Sequence, residues 1–217
     1  MTDQKGRCGR AAVLLLGSAA LLCPVLSHPQ HMTPGSPSAV ADHRVDLPFD
    51  PQLAAVSCPY DRGPVKEGSD ADRFKVSTTV TATTLGYLLG RPKPSSYPQS
   101  SRIAPTELHT WQLTAVLTQY KIQGDSDIHM VLKDSAGRTM IAEIPYGACV
   151  PSTSRWRSAI ASARATFTYL YPVSTSWHYV HRSITVKGLG MFDPPHGQTG
   201  AAPNGVELHP VTAVGFH

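Results

Sequence analysis

Carboxylate and imidazole side chains recur in this chain at a spacing that suits metal ligation or general acid–base chemistry. Asp127 and His129 stand two residues apart in Gly124-Asp125-Ser126-Asp127-Ile128-His129. Glu143 interrupts the apolar run Met140-Ile141-Ala142-Glu143-Ile144-Pro145. Glu207 and His209 again stand two apart in Asn204-Gly205-Val206-Glu207-Leu208-His209-Pro210. In an extended strand a spacing of two puts both side chains on one face. Carboxylates and imidazoles are the ligands of zinc, manganese and similar ions. A carboxylate left over could polarise water as a general base.

The candidate metal ligands are therefore Asp125, Asp127, His129, His196 and His209, and the candidate catalytic carboxylates are Asp127, Glu143 and Glu207. Gln198 and Asn204, in the loop that follows His196, are candidate binding-loop residues. The cofactor is unidentified, and a divalent metal is the class these residues suggest. Structural roles remain open beside these. Outward faces of strands are ordinarily polar, His209 before Pro210 could close a strand end, and Gln198 and Asn204 could bond their own loop.

Several other chemistries lack their signatures. The chain has no His-Glu-x-x-His, no cysteine pair at zinc spacing, no glycine-rich phosphate loop and no Gly-x-Ser-x-Gly. The net charge of +4 comes without any block of Lys and Arg, and aromatic residues make up only 7%. No strong nucleic-acid signature exists, and the partners stay unknown.

Alternating residues define the elements that would carry the candidates. Glu107 to Ile122 alternates along a long, bent strand, followed by a turn at Gly124-Asp125-Ser126. Asp127 to Asp134 reads as a second strand, with Ile128, Met130 and Leu132 on one face and Asp127 and His129 on the other. Ser135-Ala136-Gly137-Arg138 is a hairpin turn, and Thr139 to Pro145 is the third strand. The period then changes. Trp156, Ile160, Ala163, Phe167 and Leu170 mark one face of a helix over 154–171, with Arg155, Arg157 and Arg164 on its solvated side. Ser183 to Phe192 is a fourth strand, in which Gly188 and Gly190 predict a bulge or sharp bend. Val206 to Phe216 is the last, with Val206, Leu208, Thr212 and Val214 expected on one face and Glu207, His209 and Val211 on the other. Three strands, a helix and two strands predict a mainly β fold with one helix, a small five-stranded OB-like Greek-key barrel. A β-sandwich with a covering helix is the alternative.

The 217 residues divide into four stretches. Residues 1–27 read as a signal peptide: Lys5, Arg7 and Arg10 precede an apolar run from Ala11 to Leu26, too short for a comfortable membrane span. Cleavage after Ser27 or, farther on, after Ala41 would release the chain. An uncleaved anchor is the alternative, and Leu22 is too large for a lipid-attachment box at Cys23. Residues 28–57, rich in Pro, His and Ser, read as a disordered spacer. Residues 58–104 read as an N-terminal extension packing on the barrel, with a helical turn near Ser69–Val76 and an edge strand or cover over Thr79–Leu89. Residues 105–217 form the OB-like domain. Cys8 and Cys23 leave with the signal, so Cys58 and Cys149 are expected to pair in an oxidising compartment. The protein is expected to be secreted or periplasmic, with no membrane association after signal cleavage.

The segments quoted at the start, with His196-Gly197-Gln198-Thr199-Gly200, resemble a widespread family of uncharacterised exported bacterial proteins. The resemblance runs from about Arg62 to the C-terminus and includes Val65-Lys66-Glu67-Gly68-Ser69-Asp70 and Cys149. It implies one autonomous domain and carries no activity. The strand order also looks distantly like the staphylococcal nuclease family, a secreted OB-fold class that uses calcium, carboxylates and arginines on phosphodiesters. Asp125 and Asp127 sit where that family has an acidic pair. Its arginine and acidic residues around the third strand have no counterpart in Thr139-Met140-Ile141-Ala142-Glu143, where only Arg138 is near. Two functions follow as expectations: a secreted OB-like binding or structural module of unknown ligand without catalysis, or a secreted metal-dependent hydrolase, on phosphodiesters for instance, using the carboxylate/His cluster.

Overall fold

Alternation of apolar and polar side chains drives most of the chain into strands, because each strand can bury one face only by pairing and curling over a shared core. The computed structural model describes Cys58 and residues 61–217. The signal-peptide and spacer readings lie outside the described residues. Five long strands appear in the expected order: β2 (Thr110–Ile122), β3 (Ile128–Lys133), β4 (Thr139–Ile144), β5 (His178–Phe192) and β6 (Val206–Phe216). A short β1 (Val80–Ala82) pairs parallel with β2. All six belong to one mixed sheet of order β1-β2-β3-β4-β6-β5. An added antiparallel pairing of β2 with β5 returns the sheet on itself, so five strands pair in a closed circuit. Within that circuit β4 and β6 run parallel.

The hairpin between β3 and β4 turns where its residues require. Gly137 takes a positive φ of 81°, a region open to glycine at no steric cost. Asp134 Oδ1 accepts from the backbone N–H of Ala136 and Arg138, and its Oδ2 accepts from Arg138 Nε at 2.7 Å. The register that follows places His129 directly opposite Glu143.

The helical period over 154–171 becomes α3 (Arg157–Leu170). Its buried Ile160, Ala163 and Phe167 lie against the sheet, and Phe167 meets Tyr120 edge-on at 5.0 Å. Tyr171 and Phe216 complete that aromatic cluster, and the helix packs chiefly against β6. Full burial of a side chain such as Phe167 stabilises the fold by about 1.5–3 kcal/mol. The expected bend in β5 appears as register shifts on either side of Gly188. A Cβ on Gly190 would collide with the Thr106 carbonyl oxygen and stand 2.8 Å from Trp111 Nε1. Only glycine lets the strand pass so close.

Five readings of the sequence change. Leu170, expected on the packed face of the helix, is exposed at its C-terminal end. Arg155 and Arg157 are exposed, but Arg164 is not on a solvated face: it donates to the carbonyls of Ser126 (2.9 Å) and Ile144 (3.1 Å). Val211 joins the core rather than the face of Glu207 and His209, because a bulge between Leu208 and Val211 shifts the alternation by one residue. The stretch from Ser69 to Val76 forms turns without a helix. Thr79–Leu89 divides into β1 and a second short helix, α2 (Leu85–Leu89), capped by Thr84 Oγ1, which accepts from the Tyr87 N–H.

Two buried ion pairs fasten the N-terminal segment to the sheet. Arg62, just before α1 (Gly63–Lys66), is fully buried. Its guanidinium donates to both oxygens of Glu107 (2.6 and 2.8 Å) and to the carbonyls of Pro98, Ser101 and Phe192. Arg102 donates to Asp70 Oδ2 at 2.8 Å and to the Val65 carbonyl at 3.0 Å. A disulfide joins Cys58 to Cys149 across 91 residues of sequence, as the expected oxidising compartment would allow. Among the described residues no helix is long and apolar enough to cross a membrane.

Candidate functional site

The outer face of β3, β4 and β6 is where polar side chains of alternating strands belong, and here it is covered instead of wet. His129 and Val131 of β3, Ile141 and Glu143 of β4, and Glu207 and His209 of β6 are all buried. The loop from Asp193 to Gly205 crosses this face. Its Thr199 carbonyl accepts from His129 Nε2 at 3.0 Å, and Gly200 rests on Val131, where a Cβ would stand 2.6 Å from the valine methyls. α1 packs against β6. Buried Lys66 of α1 pairs with Asp193 Oδ1 at 3.3 Å.

Under this cover five of the predicted residues converge. His129 Nδ1 lies 2.7 Å from Glu143 Oε1. Its Nε2 faces the Thr199 carbonyl, and its Nδ1 lies between the Glu143 carboxylate and the Gln123 side-chain amide, 3.0 Å away. Burial alone would lower the His129 pKa, but the Glu143 hydrogen bond and charge overcome it and the pKa is raised. Glu143 correspondingly stays ionised. Burial opposes its charge, yet the His129 hydrogen bond and His209 take its pKa down to about 2.

His209 sits between carboxylates. Its Nε2 is 3.2 Å from Asp127 Oδ2, its Nδ1 is 3.2 Å from Glu143 Oε2, and Glu207 Oε2 is 3.9 Å from Nδ1. Burial disfavours its charge, but Asp127, Glu207 and Glu143 together raise its pKa to about 10. The contacts are close yet poorly directed. Asp127 Oδ2 and both ring nitrogens of His209 have no aligned hydrogen-bond partner. The attraction is therefore one of charge, without the direction of a hydrogen bond.

Asp127 is oriented by its other oxygen, which accepts from the Tyr146 N–H at 2.7 Å. Burial raises the Asp127 pKa. Glu207 is raised to about 7, first by burial and then by the charges of Glu143 and Asp193, against the opposing pull of the His209 imidazole 3.9 Å away.

The remaining candidates stand apart. Asp125 is a turn residue: its Oδ1 accepts from the Asp127 N–H at 3.2 Å. His196 is half-exposed and bonds Asp193 Oδ2 at 2.6 Å. Asn204 is buried but structural, donating to the carbonyls of Leu88 and Arg91 and accepting from the Val206 N–H. Gln198, partly buried in the covering loop, makes no hydrogen bond through its side chain that joins it to the centre. A cavity of about 450 Å³ beside Leu85, Val116, Lys133 and Arg138 shares no lining residue with the centre.

Residue types and spacing did not single out several neighbours. Lys66 keeps a raised pKa: burial lowers it, but Asp193 and Glu143 outweigh that. Glu67 is raised to about 7 by burial and by the Asp127 charge. Trp177 meets His129 edge-on at 5.5 Å, and Lys121 Nζ stands over the Trp177 ring at 4.9 Å. Nothing in local spacing brings residue 66 to residue 193.

What the arrangement can do chemically is hold a charge in a dry place. It offers two ionised or ionisable carboxylates, an imidazole between them and a third carboxyl group, Glu207, close to neutrality. No family model, curated protein or solved structure matches this chain.

Proposed function

We propose that this chain is an exported binding module of OB type, without catalysis, whose binding element is the buried centre of Asp127, His129, Glu143, Glu207 and His209. The barrel reading is supported by the pairing circuit β2-β3-β4-β6-β5, by the parallel β4–β6 contact and by α3 lying between β4 and β5. The turn before β3 and the loop between β5 and β6 then flank the outer strand face, the place where OB folds take their ligands. Export is supported by the leader-like residues 1–27 and by the disulfide.

One observation carries the reading. Five polar side chains converge from a turn and three strands, and each is at most 2% exposed. Such burial suits a small ion or a purely internal polar network. An organic substrate would have to displace α1 and the loop over 193–205 before touching them.

A second reading, a secreted metal-dependent hydrolase acting on phosphodiesters, is favoured by Glu207. Its carboxyl, raised to about 7 beside the other ligands, has the pKa of a general base. The test is turnover of bis(4-nitrophenyl) phosphate and 4-nitrophenyl acetate by the purified chain with Zn²⁺, Mn²⁺ or Ca²⁺. The module reading expects rates equal to the metal-only blank. Turnover that EDTA abolishes and Glu207→Gln removes would overturn it in favour of the hydrolase.

A further inference from the structure

Three of the buried side chains are oriented like ligands. Asp127, Glu143 and His209 each present one ligand atom, and these atoms all lie within 4.8 Å of one another. Donors about 2.0–2.2 Å from a common ion stand no more than about 4.4 Å apart, so small side-chain movements would bring all three onto one cation.

The way each carboxylate is tethered supports the same reading. Asp127 Oδ1 is occupied by the Tyr146 N–H, leaving Oδ2 turned to His209. Glu143 Oε1 is occupied by His129, leaving Oε2 turned to His209. His129 is itself fixed by the Thr199 carbonyl. One oxygen anchored and one released is how outer partners orient metal ligands.

A separate observation shows that something is missing from the hydrogen-bond inventory. Asp127 Oδ2 and both nitrogens of His209 are buried with no aligned partner, although buried polar atoms are ordinarily paired.

We propose that Asp127, Glu143 and His209 bind one divalent transition-metal cation of the zinc–manganese class, with His129 as the positioning residue for Glu143. The inference rests on the binding-module reading and names its ligand. Two carboxylate oxygens and one imidazole nitrogen suit such ions. Calcium is a poor fit, because it takes six to eight oxygen ligands. Thiolate ligation is closed to Cys58 and Cys149, which are joined to each other.

The test uses the full mature chain, stripped with EDTA and refolded with or without one equivalent of ZnCl₂, MnCl₂ or CoCl₂, because the centre is enclosed in the folded state. Metal content by elemental analysis should reach one ion per chain for the wild type. Co²⁺ should give d–d absorption bands shifted from those of the aqueous ion. Asp127→Asn and His209→Gln should each weaken binding by more than about 100-fold, and His129→Ala by about 10–100-fold. His196→Ala, outside the centre, should bind as the wild type does. Near-UV circular dichroism checks that each variant is folded.

Folded wild-type chain that holds less than one-tenth of an ion after refolding in metal overturns the proposal, whether or not the variants fold. So does binding that survives His209→Gln but fails with His196→Ala. Absence of metal together with absence of turnover would remove the centre as a binding element and leave a structural module with a self-paired polar centre. Chelator-sensitive turnover would remove that reading while keeping the metal.

Discussion

Replacing Arg62 by alanine should destabilise the protein more than any surface change, because this guanidinium is an internal brace with no access to water. It is 0% exposed and makes five side-chain hydrogen bonds: two to Glu107 and one each to the carbonyls of Pro98, Ser101 and Phe192. Arg62→Ala leaves the Glu107 carboxylate buried beside only the N–H groups of Ile103 and Phe192. Breaking one side of a buried pair costs about 3–5 kcal/mol, roughly a fifth or more of the total stability of a typical domain. With a urea m-value of about 2 kcal/mol/M, the midpoint should fall by roughly 1.5–2.5 M. Glu107→Gln should cost a similar amount by stranding the guanidinium. The double substitution Arg62→Ala with Glu107→Gln should cost clearly less than the sum of the singles, because it leaves no uncompensated charge inside. The assay is equilibrium urea unfolding at neutral pH, followed by tryptophan fluorescence with the disulfide intact. Single substitutions that each cost under about 1 kcal/mol, or that add to within about 0.5 kcal/mol, would refute the view that this pair fastens the N-terminal segment across the sheet.

Three further expectations concern other parts of the fold. Replacing Cys58 and Cys149 together by serine frees a loop spanning 91 residues, so stability should drop by up to about 4–5 kcal/mol in the chain-entropy model; thermal unfolding of the variant, or of the wild type in reductant, reads this directly. Gly190→Ala forces a methyl against the Thr106 carbonyl and Trp111 Nε1, with an expected cost of about 1–3 kcal/mol; an unchanged urea midpoint would show that the β5 bend has room to spare. In EDTA, the metal-free chain should be most stable near pH 4.5 and lose stability on either side of it. Glu143, held at about 2 in the folded state, contributes stability that is present above 4.5 and lost as pH falls through about 2. His209, held at about 10, contributes stability that is full below 6.5 and lost as pH rises through about 10. Glu207, raised to about 7, adds a further loss as pH climbs from 4.5 to 7. A urea midpoint that keeps rising from pH 6 to pH 9 would contradict these assignments.

Local spacing in the sequence decided a great deal. Period-two alternation located β2, β3, β4 and β6 within a few residues, and the Trp156–Ile160–Ala163–Phe167 spacing located α3. The pairing of Cys58 with Cys149, the bend at Gly188 and the shared faces of Asp127 with His129 and of Glu207 with His209 were also legible. These features depend only on neighbours along the chain, where steric preference and burial of one face act directly.

Tertiary structure alone decided which polar residues meet and whether water reaches them. His129 and Glu143 are brought opposite one another by hairpin register, but His209 arrives through a parallel contact between β4 and β6 across most of the domain. The cover over them is built from Lys66, Thr199 and Gly200, and it is held down by Arg62–Glu107 and Arg102–Asp70, pairs separated by 45 and 32 residues. His196 and Asp125, equally plausible by residue type, were left outside because one bonds Asp193 and the other closes its own turn. The phase of β6 past His209 also escaped prediction, since a one-residue bulge carries Val211 to the opposite face without changing composition. Side-chain periodicity reports which face a residue takes. Burial, and with it the pKa of every carboxyl and imidazole in the centre, depends on distant segments whose contacts leave no periodic trace.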